Sequence, residues 1–100
     1  MIDLSALRAL CNDDTIVVTQ HLADRMRERG IKYSQVKQAI IAGEIIERYP
    51  DDYPHPSCLI LGCGLHVVAG IGDGWLWIIT AYRPSLDKWE SDLKTRRAEP

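Results

Sequence analysis

Apolar residues recur with a helical period in the first 43 residues of the chain and with a strand period after them. Leucines at helical spacing predict a short helix within residues 3–11. A second helix is predicted from Thr19, a good N-cap, to the residue before Gly30, which takes the C′ position. Ser34 is expected to cap a third helix, which Gly43 ends.

The alternation after the third helix predicts four strands, at residues 44–49, 58–62, 65–71 and 75–82. Two-residue turns at 63–64 and 73–74 join the last three strands, so these are expected to be antiparallel neighbours. Helices followed by a four-stranded antiparallel meander make an α+β fold. Residues 16–18 are β-branched but short. Residues 86–97 are expected to form a polar tail with Trp89 as its only large anchor. Its end, residues 94–97, is expected to be frayed and solvated, with contact to nucleic acid as the alternative.

Length and composition place the chain among ordinary globular domains. Its 100 residues predict a single domain spanning 1–100, and 46% apolar with 26% charged residues is typical of a folded protein. A net charge of −2 argues against a polyanion binder that works by bulk charge. The apolar stretches are too short to span a membrane, and the N-terminus does not resemble a secretory signal. Three cysteines are too few for a disulfide framework, so we expect a cytoplasmic protein with free thiols.

The second helix carries a row of cationic and titratable side chains. At about 100° per residue, His21, Arg25 and Arg29 fall within about 80° of one another, with Glu28 beside them. The twelve residues from His21 hold four basic and two acidic groups, so the local charge is positive. Two interpretations stay open: an anion-binding site, or a solvated face in which the arginines pair with Glu28 and Glu47.

Five blocks of residues stand in a fixed order along the chain. They are Thr19-x-His21-x3-Arg25-x3-Arg29-Gly30, Gly43-Glu44-Ile45-Ile46-Glu47-x-Tyr49-Pro50, Pro56-Ser57-Cys58-Leu59-Ile60-Leu61-Gly62, Leu65-His66-Val67-Val68 and Ile79-Thr80-x-Tyr82-x-Pro84. Together they resemble a small bacterial and archaeal family, domain-of-unknown-function family 4258, over residues 15–93. One departure is visible, because only Cys63-Gly64 precedes the Leu-His-Val-Val block, where the family has a longer Gly-rich hairpin.

This family is similar in layout to the BrnT and RelE/ParE toxins, which belong to toxin–antitoxin pairs and include metal-independent ribonucleases. The resemblance implies RNA as the substrate and no cofactor. Metal-free cleavage of RNA needs a base, an acid and cations at the phosphate. The candidates for these roles are His21, Arg25, Arg29, Glu47, His66 and Tyr82. The arginines suit the phosphate, the histidines and Glu47 suit proton transfer, and Tyr82 suits hydrogen bonding or base stacking.

Strand parity tests whether these candidates share one site. With turns at 63–64 and 73–74, His66 is predicted on the sheet face away from the helices, and Thr80 and Tyr82 on the helix face. A β-bulge would shift the register and place His66 on the same side of the sheet as His21, Arg25 and Arg29 of the second helix. Three glycines are candidates for such a bulge: Gly70, Gly72 and Gly74.

The sheet face that points away from the helices, named here the outer face, is predicted to be too apolar to be exposed to water. Its large side chains are Leu59, Leu61, Trp75, Trp77 and Ile79. Such a face is typical of a contact surface, and we expect it to bind an antitoxin or a second copy in a homodimer. An alternative function therefore stands beside the RNA-directed toxin: a non-catalytic module for protein–protein interaction.

Zinc binding is a third and weaker alternative. His55, Cys58, Cys63 and His66 offer four suitable ligand types within twelve residues. If residues 58–62 form a strand, however, the two cysteines lie about 16 Å apart at roughly 3.3 Å per residue, too far for one tetrahedral ion. The sequence therefore disfavours a metal site.

Overall fold

The computed structural model describes residues 2–98, which form three helices and five strands. In chain order these are α1 (Leu4–Ala9), β1 (Ile16–Val18), α2 (Gln20–Glu28), α3 (Tyr33–Ala42), β2 (Glu44–Tyr49), β3 (Ser57–Gly62), β4 (Leu65–Gly72) and β5 (Trp75–Tyr82). The predicted α+β character is confirmed, with the helices concentrated in the N-terminal half and a sheet after them. No helix within the described residues is long and apolar enough to cross a bilayer.

The sheet has five strands in the order β1-β5-β4-β3-β2, so the prediction of four strands was wrong. Strands β2 to β5 pair antiparallel with their sequence neighbours, as the predicted meander requires, and the two-residue turns join β3 to β4 and β4 to β5. The additional strand, β1, pairs parallel with residues 76–78 of β5. Three residues are too few to display a strand period, and a parallel partner far along the chain leaves no turn signal beside it.

One hydrophobic core lies between the helices and one face of the sheet. Each helix contributes buried residues, β3 and β4 contribute alternate residues, and β5 contributes residues 76, 78 and 81. The fully or nearly fully buried members are Leu7, Leu22, Met26, Val36, Ala39, Ile40, Cys58, Ile60, Leu65, Val67, Ala69, Leu76, Ile78 and Ala81. The period of 3.6 in the helices and of 2 in the strands thus places all of these residues in a single layer.

The ends of α2 follow the sequence signals. The Thr19 hydroxyl accepts a hydrogen bond from the Leu22 amide at 3.2 Å, and Gly30 has the left-handed φ of 66° that the C′ position favours. The start of α3 was predicted wrongly, because Lys32 is the N-cap residue and Ser34 lies inside the first turn. There the Gln35 side chain accepts a hydrogen bond from the Lys32 amide at 2.7 Å, which replaces a serine cap.

A β-bulge in β5 changes the face of one predicted site residue, Tyr82. Val68 pairs with Thr80 whereas the next residue, Ala69, pairs with Ile78, so Ile79 is the extra residue. Beyond the bulge the register of β5 moves by one position. Tyr82 consequently pairs with His66 and lies on the outer face, not on the helix face as strand parity predicted.

Residues 85–97 fold back over the outer face of the sheet and are named here the C-terminal hook. Its chain doubles back on itself: Trp89 and Arg96 form an isolated antiparallel bridge, and the Glu90 amide donates to the Thr95 carbonyl at 2.8 Å. Trp89 is only 3% exposed. Trp89 is thus the anchor that was predicted, and residues 94–97 are exposed as expected. The expectation of a frayed end was wrong, because paired backbone groups hold these residues in place.

Candidate functional site

A cleft of about 340 Å³ opens between α2 and the last residues of β5. It exists because β1 is short: it pairs only with residues 76–78, which leaves the next residues of β5 without a strand neighbour on that edge. The chain turns at once into α2, which passes beside the free edge. The cleft is lined by Thr19, His21, Leu22, Arg25, Arg29, Ile79 and Thr80.

The polar side chains of the cleft are the row predicted on α2. Leu22 and Met26 are buried against the sheet, so the neighbouring positions His21, Arg25 and Arg29 face outward and are exposed. Within residues 2–98, neither His21 nor Arg25 has a hydrogen-bond or ion-pair partner on its side chain. The interpretation of a face neutralised by Glu28 and Glu47 is thus not the arrangement found.

Two arginines fix α2 to β5. The Arg29 guanidinium donates to the Ala81 carbonyl at 2.8 Å, at the free strand edge. Arg83, in turn, donates to the Arg29 carbonyl at 2.7 Å and to the Gly30 carbonyl at 3.2 Å. A cation at the C-terminal end of a helix also interacts favourably with the helix dipole. Sequence reasoning did not predict this role of Arg83. The available signal was its position, because an arginine that directly follows the last strand is a candidate to donate to the carbonyls at a nearby helix end.

His66 lies elsewhere, on the outer face of the sheet and completely buried. Its Nε2–H donates to the Leu93 carbonyl of the C-terminal hook at 2.7 Å, so Nδ1 accepts from the Tyr82 hydroxyl at 3.1 Å. The Trp89 ring packs edge-on against the imidazole with centroids 4.5 Å apart. Burial lowers the pKa of His66, which favours the neutral ring.

Glu47 is held on the same side by the C-terminal hook. Arg96 donates to both carboxylate oxygens, at 2.8 and 2.9 Å, and the Tyr49 hydroxyl donates to one of them at 2.6 Å. The hydrogen bonds from Arg96 lower the pKa of Glu47, whereas burial and the neighbouring carboxylate raise the pKa of Tyr49 to about 12. Glu47 is therefore an ionised partner of the hook and is not free to accept a proton.

The six predicted site residues therefore form two groups. His21, Arg25 and Arg29 line the α2 cleft, and Glu47, His66 and Tyr82 lie together under the C-terminal hook. The hook group has its polar atoms satisfied by one another and by the hook. The cleft group is accessible, and it joins two cationic side chains, one imidazole and the hydroxyls of Thr19 and Thr80.

The four residues considered for zinc are dispersed. Cys58 is buried in the core, Cys63 is exposed in a turn, and the His55 ring stacks on Trp77 with centroids 5.7 Å apart. Across residues 2–98, no three His, Cys, Asp or Glu side chains are grouped so as to hold a metal ion. His55 itself is half-buried in the Pro-rich loop between β2 and β3.

Comparison with known proteins returns a single kind of match. No curated protein and no solved structure matches the chain. Residues 18–83, which run from the end of β1 to Arg83 and include the whole α2 cleft, match the family described as "Domain of unknown function (DUF4258)". The match covers well over half of the chain, and the protein therefore belongs to this family of uncharacterised domains.

Proposed function

We propose that this protein is a toxin-like, RNA-binding domain that holds a backbone phosphate in the α2 cleft. The observation that carries the proposal is the Arg25 guanidinium, exposed and without a carboxylate partner in the described chain, beside Arg29 and His21. A guanidinium offers a planar fork of donors that fits two phosphate oxygens. RNA is proposed as the source of that phosphate because the sequence blocks resemble a family whose layout is similar to that of BrnT and RelE/ParE toxins.

The electrostatics of the chain favour a local contact over general attraction. The net charge of −2 weakens any long-range pull on a polyanion, so affinity must come from the few cations in the cleft. Arg29 already donates to the Ala81 carbonyl through one nitrogen, which orients its remaining donors. The expected affinity is modest and falls as salt rises, because each phosphate contact releases counterions.

The same cleft supports a metal-independent cleavage step. His21 is the group placed to take the proton from a ribose 2′-hydroxyl, and the resulting oxygen attacks the adjacent phosphorus while Arg25 stabilises the added negative charge. The bond to the 5′-oxygen then breaks, and that oxygen takes a proton from water. Because none of residues 2–98 supplies a carboxylate or a second imidazole to the lining of the cleft, we expect slow turnover.

Binding is tested first, with a fluorescently labelled single-stranded RNA in EDTA and anisotropy as the readout. Arg25→Ala should weaken binding and reduce the slope of log affinity against log salt by about 0.7, the loss of one phosphate contact. Arg27→Ala is the matched control, because Arg27 lies on the opposite side of α2 in an ion pair with Asp24 at 3.2 Å. Equal losses in both variants, or no binding by the wild type, would contradict the proposal.

Cleavage is tested separately by incubating the protein with total RNA in EDTA. The wild type should produce fragments, and His21→Gln should bind RNA with unchanged affinity but leave it intact, because glutamine cannot take up the proton. Intact RNA with the wild-type protein, together with normal binding, would remove the nuclease step and retain the binding function.

A further inference from the structure

Two large apolar side chains stay exposed on β5, next to the α2 cleft. Trp75 is 43% exposed and Ile79 is 48% exposed. The remainder of the predicted apolar face is covered or partly covered: Leu59 is 1% exposed, and Leu61 and Trp77 are half-buried. The exposed part of the outer face is therefore a narrow strip along one strand.

This strip is too small for a stable protein partner. With less than half of each side chain exposed, Trp75 and Ile79 offer on the order of 200 Å² of apolar surface. A specific protein–protein interface buries about 800 Å² on each partner. The area instead suits one flat ring, such as a nucleobase.

The strip is continuous with the cationic cleft. Ile79 belongs to both, since it lines the cleft and follows Trp75 by four residues, about 13 Å along a strand. Between them, Trp77 is fixed by the stacked His55 ring and by a hydrogen bond from Nε1 to the Gly72 carbonyl at 3.1 Å. A ligand that leaves the cleft along β5 thus passes the fixed Trp77 ring before it reaches Trp75.

We propose that Trp75 is a stacking platform for a nucleobase of the single-stranded RNA whose phosphate lies in the α2 cleft. The inference rests on the proposed function. It adds that the bound RNA must be single-stranded, because only an unpaired base has a free face to stack. Cations then bind the RNA backbone, and the aromatic ring stacks on a base without discriminating between base types.

The test compares two oligonucleotides of about ten nucleotides, one normal single-stranded RNA and one abasic strand of equal length and charge. The normal strand should bind about tenfold more tightly and quench indole fluorescence, whereas the abasic strand should do neither. The fluorescence of Trp89, which is 3% exposed, should not change when RNA binds. Trp75→Leu should abolish the difference between the strands, and Trp75→Tyr should restore most of it.

The matched control is Tyr53→Leu, which removes another exposed aromatic ring, 91% exposed, from the loop after β2. Equal affinity for both strands with an intact Arg25 effect would overturn the stacking platform and leave the phosphate site. Failure of both strands to bind would overturn the proposed function itself. A dimer in sedimentation velocity that Trp75→Leu dissociates would also overturn the platform, since the strip would then be a contact between copies.

Discussion

Among single residues, His66 shows how a candidate for catalysis becomes part of the structure. Alternation along β4 was enough to predict that it lies away from the helices. Its role was not predictable, because its partners come from residues 16 and 27 positions further along the chain. An imidazole with both nitrogens hydrogen-bonded and no exposed surface stabilises one arrangement of its neighbours and does not exchange protons with a substrate.

The burial of His66 predicts a pH-dependent stability. Because its folded pKa is lowered by desolvation, the unfolded chain binds more protons once the pH falls below the ordinary value of 6.5. The Leu93 carbonyl and Glu47 oppose this shift and Arg96 adds to it, and burial prevails. The free energy of unfolding should therefore fall between pH 7 and pH 5, as measured by urea denaturation.

His66→Gln is the comparison for that measurement. Glutamine keeps a donor and an acceptor but does not titrate, so the variant should be less stable at pH 7 and show a flatter profile from pH 7 to pH 5. Carboxylates with lowered pKa values, such as Glu47, lose their contribution only below this range. A variant with the same slope as the wild type would assign the pH dependence to other groups.

At the level of elements, the sequence was most informative where a signal is local. The caps of α2, the two-residue turns and the end of α3 at Gly43 are all set by residues within a few positions, and each was predicted correctly. The bulge at Ile79 and the parallel pairing of β1 depend on contacts between distant segments. A missed bulge of one residue was sufficient to place Tyr82 on the wrong face.

The packing of α3 on β3 predicts a steric limit at Gly62. A Cβ atom at this position would lie 2.2 Å from the Ala39 carbonyl oxygen, so Gly62→Ala must push the helix away from the sheet. We expect a loss of about 3 kcal/mol in the free energy of unfolding. Gly64→Ala is the control, since its Cβ meets nothing within 4 Å and only its φ of 75° is unfavourable, at about 1 kcal/mol. Similar losses in the two variants would exclude a close contact with α3.

For the whole molecule, the sheet separates two polar regions that differ in accessibility. The α2 cleft lies within the family-matched residues 18–83 and is open. The C-terminal hook lies beyond them and closes the outer face over His66, Glu47 and Tyr82. Residue types put all six residues in one candidate list, and strand parity then separated His66 from the row on α2 but left Tyr82 on the wrong face because of the bulge.

Loosening the hook should therefore leave the cleft intact. Trp89→Ala removes the large buried side chain of the hook and should lower the free energy of unfolding by about 3 kcal/mol. It should also flatten the pH profile between pH 7 and pH 5, because His66 becomes solvated. The affinity for single-stranded RNA, measured where the variant is still folded, should stay within twofold of the wild type because no hook residue lines the cleft.

Leu86→Ala, a change at a residue of the hook that is 57% exposed, is the control and should alter none of the three quantities. A loss of RNA affinity in Trp89→Ala alone would show that the two regions are coupled through the sheet.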